Sequence, residues 1–117
     1  MPLNIPTRHN PRLQALVERA DADEELHALW KCANINAVDR SGISDHGEVH
    51  IKIVTNMALK LLRLLHDANV QMSVVKDHKM TYEDAEVIVV LAALLHDLGI
   101  AAVISRVRHV HIRDCKG

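Results

Sequence analysis

Phenylalanine is absent from this 117-residue chain, and one Trp and one Tyr are its only benzenoid or indole side chains. Any core must therefore be assembled from Leu, Val, Ile, Ala and Met, a palette that favours helices packed on helices. Cysteine is nearly missing too. Cys32 and Cys115 have no metal-type spacing, which speaks against a zinc ribbon or a disulfide framework and makes a reducing compartment the default. A surplus of either charge is also lacking. With 14 Lys and Arg against 15 Asp and Glu, no basic stripe argues for nucleic acid, and only the last dozen residues lean basic. No uninterrupted apolar run approaches the roughly 20 residues of a membrane span, and the N-terminus lacks the basic-then-apolar order of a signal peptide. The expectation is one small, soluble, cytoplasmic domain with neither nucleic acid nor membrane as partner.

What the chain does have is histidine, nine residues of it. Scattered surface histidines are the common cause of such a count, so their positions have to decide.

Residues 1–10, with Pro2 and Pro6, read as a leader unable to hold regular helix. From Pro11, a plausible first helical position, Leu13, Leu16 and Val17 recur at helical spacing. Residues 21–25 restart the pattern, and Leu26, Leu29, Trp30 and Ala33 form one face. After the break at Gly42, Asp45 and Glu48 have the spacing of a capping box, so a long helix is predicted to begin near His46. Along it Ile53, Val54, Met57, Ala58, Leu61, Leu62 and Leu65 hold the i, i+3, i+4, i+7 spacing and are expected to be the buried face. Residues 69–79 read as a helix end and a connection. Thr81 and Asp84 give a second capping signal, and the nearly unbroken apolar run 87–95 predicts a helix at the centre of the domain. Gly99 is the stop. Residues 101–117 form an irregular basic tail, strand or loose, which leaves 11–100 as the helical domain.

The tetrapeptide LLHD occurs twice, at 64–67 and 94–97. His66 and Asp67 fall where the apolar stripe ends among polar residues, as at a solvated helix terminus. His50 and His66 are about 24 Å apart along one helix and cannot share a metal. His96 and Asp97 instead close the most apolar helix, where a carboxylate costs several kcal/mol (about 2–7 on transfer scales for polar groups, more for a charge) unless it is paired, hydrogen-bonded or on a metal. Local backbone amides beside a satisfied core histidine would meet that need. So would His50: if its helix packs antiparallel to the 87–95 helix, two imidazoles and the Asp97 carboxylate converge. Such a nitrogen and oxygen set suits Mn, Fe, Zn, Co or Ni better than Ca. His46, one turn before His50, is a further ligand, a phosphate contact or a solvent-facing residue.

These stretches, DHGEVHIKIV at 45–54 and LAALLHDLGI at 91–100, resemble the HD-domain superfamily of metal-dependent phosphohydrolases. The resemblance implies an all-α fold, a small helical HD-domain-like bundle, with His50 as the first metal ligand and His96 and Asp97 as the doublet. Asp97 is then also the catalytic carboxylate, and His46 a substrate-binding residue. The implied activity is hydrolysis of a phosphoester, a nucleotide or similar small molecule, by water activated on a divalent transition metal. Family members run on through further helices that supply a last Asp and basic phosphate-binding residues. Here the chain runs from Asp97 only to Gly117, Asp114 is the sole acidic residue left for that role, and the bundle is expected to be incomplete at its C-terminus. Arg106, Arg108, His109, His111 and Arg113 could contact phosphate or form a disordered basic tail. The alternatives are a truncated or degenerate HD domain that binds metal or nucleotide without catalysis, and a small helical interaction module. Missing helices would expose an apolar flank, so a homodimer or poor solubility is expected.

Overall fold

The computed structural model describes residues 2–35, 38 and 46–99, and among them the fold is all-α, five helices with no strand. The helices are α1 (Pro11–Ala22), α2 (Glu24–Asn34), α3 (Glu48–Asp67), α4 (Ser73–His78) and α5 (Tyr82–Leu95). None is long and apolar enough to cross a membrane. The predicted basic tail, Asp114 included, lies outside the described residues.

Local chemistry accounts for most helix boundaries. Asn10 accepts the Leu13 amide at 3.1 Å and Pro11 opens α1, where its missing N–H costs nothing. Asp23 ends α1 and caps α2 through the Leu26 amide at 3.0 Å. Thr81 and Asp84 form the reciprocal capping box their spacing predicts. The start of α3 differs from the sequence expectation. It begins at Glu48 behind Gly47, and the Glu48 carboxylate lies 2.7 Å from His27 Nδ1. Asp45 lies outside the described residues. The 69–79 connection also contains a helix, the single-turn α4, too short to show periodicity and bracketed by the left-handed residues Asn69 and Lys79.

The core gathers Leu13, Val17 and Ala20 of α1, Trp30 of α2, Ile51 and Leu59 of α3, and Val90 and Leu94 of α5. Leu3 and Ile5 join it from the segment before α1, and the Leu3 amide donates to Asp21 at 2.9 Å. Cys32, which reads as a lone cysteine in the sequence, is buried and disulfide-bonded; spacing along a chain does not decide pairing, which depends on approach in space.

Two expectations about burial fail. On α3 much of the predicted face is outside: Ile53, Met57, Leu61 and Leu65 are 53, 67, 59 and 39 % exposed, while Leu62 is buried as expected, together with Ile51, Thr55, Leu59 and Arg63, which the spacing does not assign to that face. The helix carries two stripes of helical period, and the one containing a threonine and an arginine faces inward because Arg63 meets a buried carboxylate on α5. That carboxylate is Glu86, 2.8 Å from Arg63 Nε. Likewise α5 is not enclosed all round, since Ile88, Leu91 and Leu95 are each about two-fifths exposed. The antiparallel pairing of α3 and α5 does hold. Arg63 and Glu86 mark one end of the pair, and His50 and Asp97 mark the other.

Candidate metal centre

Four polar side chains come together where α3 starts and α5 finishes. Each is placed differently. His50 belongs to the first turn of α3. His96 and Asp97 follow the last residue of α5, and the end of that helix is fixed by Trp30, whose buried indole N–H donates to the Leu94 carbonyl at 2.9 Å. This bond satisfies one of the carbonyls that a helix C-terminus leaves without a partner. His46 precedes α3, and its backbone N–H donates to Asn34 Oδ1 of α2 at 2.9 Å.

One oxygen is the focus of the group. Asp97 Oδ2 lies 2.7 Å from His46 Nδ1, 3.0 Å from His50 Nε2 and 3.0 Å from His96 Nε2. The His46 and His50 rings are 4.8 Å apart between centroids, and those of His50 and His96 are 5.4 Å apart. Burial pushes the Asp97 carboxyl up, but the His46 hydrogen bond and the charges of His96, His46 and His50 outweigh it and hold the group below its ordinary value.

His46, His50 and Asp97 each offer a ligand atom within 4.8 Å of the others, and the group could hold a metal ion. Two further observations bear on the fit. His50 Nε2 is buried and has no hydrogen-bond partner among the described residues, although the carboxylate oxygen is 3.0 Å away. A buried polar atom left in that condition costs about 1–3 kcal/mol, which a bound cation would remove. His96 Nδ1 faces the Ala93 carbonyl at 2.6 Å, and a carbonyl can only accept, so this nitrogen carries the proton. In the neutral ring Nε2 then presents its lone pair to Asp97. Two electron-rich atoms meet there unless a proton or a cation lies between them. Fixing one imidazole nitrogen on a carbonyl so that the other is free to ligate is the usual outer support of a metal-binding histidine. The residues present fit a metal ion.

All four residues singled out in the sequence, His46, His50, His96 and Asp97, are thus brought together, and His46 falls among the potential ligands rather than apart from them. His66 is not. It stacks on Tyr82 with ring centroids 3.7 Å apart at the opposite end of α3. Sequence reasoning passed over Asn34, Trp30 and the His27–Glu48 pair. Asn34 and Trp30 act through a backbone amide and a backbone carbonyl, and such partners leave no pattern in the sequence.

No family model matches the chain, and no solved structure matches it. Over 89 residues it is 42 % identical to an uncharacterized protein of Methanocaldococcus jannaschii, a match that covers 76 % of this chain and 34 % of that protein. The chain thus spans about a third of the length of the relative it matches.

Proposed function

We propose that this chain carries the metal centre of an HD-type phosphohydrolase that hydrolyses a small-molecule phosphoester, a nucleotide or similar. The observation that carries this reading is the convergence of three imidazole nitrogens, from His46, His50 and His96, on one Asp97 oxygen. When bound, a divalent transition metal supplies Lewis acidity, making water a stronger acid and offsetting charge on a phosphoryl group.

The protein's own residues do the rest. His50 would hold the ion through Nε2, His46 through Nδ1, and Asp97 through the oxygen on which they converge; His96 would join them through Nε2, which lies 3.0 Å from that oxygen. Asp97 also contributes the one negative charge of the group, which moderates the positive charge that three neutral imidazoles would leave undiminished. The Ala93 carbonyl keeps the His96 proton on Nδ1. The His46 and His50 side chains are about one-fifth and just over one-quarter exposed.

Purified protein reconstituted with Mn, Fe, Co, Ni or Zn is expected to bind the metal in stoichiometric amount and to release phosphate from phosphoester substrates. Loss of turnover in both His50→Ala and Asp97→Ala, with the fold retained by circular dichroism, is the predicted result; unchanged turnover in either variant refutes it. A second reading has one observation in its favour. Among the described residues the group contains a single carboxylate, which favours a domain that binds metal or nucleotide without turnover. Stoichiometric metal with no phosphate release would select that reading.

A further inference from the structure

We infer that Asn34, on a helix that contributes no ligand, is a positioning residue for the metal centre and acts through His46; this rests on the metal reading above. The reason lies in how the four residues are held. His50 is inside α3, and its backbone is fixed by the helix ladder. His96 and Asp97 follow directly on α5, which Trp30 anchors. His46 stands ahead of α3, one residue before the Gly47 cap, with no helix directly behind it and no intrahelical acceptor for its N–H.

Asn34 supplies that acceptor. Its Oδ1 takes the His46 N–H at 2.9 Å, and its side chain also packs so closely against Gly47 that a larger residue there would have to push it aside. A Cβ built on Gly47 would lie 3.1 Å from Asn34 Cγ and 3.2 Å from its Cβ and Nδ2. Gly47 is buried, and its φ of −86° is open to any residue, so the glycine answers to this approach and not to backbone strain. The last residue of α2 therefore grips two consecutive residues of the segment that presents His46. The imidazole is delivered to Asp97 Oδ2 at 2.7 Å as a consequence. Without the Asn34 oxygen the His46 backbone is free to rotate, and the third imidazole leaves the group while His50, His96 and Asp97 stay in place.

Cobalt(II) titration of the full chain tests this, read by d–d absorption for affinity and by X-ray absorption for the number of imidazole ligands. Wild-type protein is expected to bind one cobalt with three imidazoles. Asn34→Ala is expected to weaken binding by about 10–100-fold, the usual cost of removing an outer support of a metal ligand, and to drop one imidazole. Asn34→Asp, which keeps an acceptor oxygen, is expected to restore both. In a His46→Ala background, Asn34→Ala is expected to change nothing further, because the residue through which it acts is already gone. An equal loss in both backgrounds, or unchanged affinity with three imidazoles in Asn34→Ala, overturns the inference while leaving the metal reading intact. Wild-type protein that binds no cobalt sinks both. Should Asn34→Ala fail to fold by circular dichroism, Gly47→Ala takes its place: crowding Asn34 is expected to lower affinity in the same direction, and an unchanged titration overturns the inference.

Discussion

Glu86 is a buried carboxylate near the start of an apolar helix, and three side chains make it tolerable. Arg63 Nε, Asn10 Nδ2 and the Tyr82 hydroxyl donate to it at 2.8, 3.0 and 3.1 Å. Burial pushes Glu86 up, but the Arg63 hydrogen bond leads a set of partners that outweigh it and hold the carboxyl below its ordinary value. A depressed carboxylate stabilises the fold above its ordinary pKa, 4.5 for Glu, and that contribution is lost as pH falls through the lowered value. Arg63→Met removes the counter-charge and strands Glu86. The expected cost is about 3–5 kcal/mol in urea denaturation at neutral pH, whereas Arg63→Met with Glu86→Leu is expected to cost far less, since both charges are then gone. Equal costs for the single and double variants would show that the pair does not act as a unit. Tyr82 reports on the same cluster from outside. Its phenol is pushed up to about 12 from 10.0, by burial first and then by the Glu86 charge. A raised phenol stabilises the fold below pH 10, a contribution lost as pH rises towards 12. Because Tyr82 is the single tyrosine, its ultraviolet titration is readable without interference. Glu86→Gln is expected to move the midpoint down towards the ordinary value.

At the scale of helices, α3 shows what periodicity can and cannot decide. Two stripes run along it, one through Ile53, Met57 and Leu61 and the other through Ile51, Thr55 and Leu59, and both have helical spacing. Hydrophobicity favours the first, the fold buries the second, and the deciding contact is an arginine with a partner 23 residues away. Lysine at Met57, which is 67 % exposed, is therefore expected to change stability by no more than about 0.5 kcal/mol. Leu59→Ala, at a fully buried position, is expected to cost about 2–5 kcal/mol. Urea midpoints for the two variants check the orientation directly; the reverse order would restore the face read from the sequence. Caps were legible where a side chain bonds to its own helix, as at Thr81 and Asp84, because both partners are close in sequence. At Glu48 the carboxylate lies beside His27 on another helix, a partner that spacing does not show. The pairing of His50 with His96 and Asp97 was legible for a different reason. Polar residues placed at the ends of two apolar helices have few places to go once those helices pack antiparallel.

For the whole molecule, the candidate centre joins helices that are otherwise held together mainly at their opposite ends and along the core. Arg63 and Glu86 tie α3 to α5 at one end; at the other, the link consists of imidazoles gathered on Asp97, one of them with a buried nitrogen lacking a hydrogen-bond partner among the described residues. A divalent ion bound there would bridge the start of α3, the end of α5 and, through His46 and Asn34, the end of α2. Binding confined to the folded state stabilises it by mass action, about 2.7 kcal/mol at a free metal concentration 100 times Kd. Thermal unfolding with and without added Co(II) or Mn(II) is thus expected to show a rise in Tm that a chelator reverses and that Asp97→Ala abolishes. The rise is also expected to shrink as pH is lowered, because ligand nitrogens and the carboxylate must be free of protons to bind. A metal-dependent rise that survives undiminished in Asp97→Ala would show that the oxygen on which the imidazoles meet is not a ligand, because loss of a bound carboxylate weakens binding and so shrinks the mass-action term.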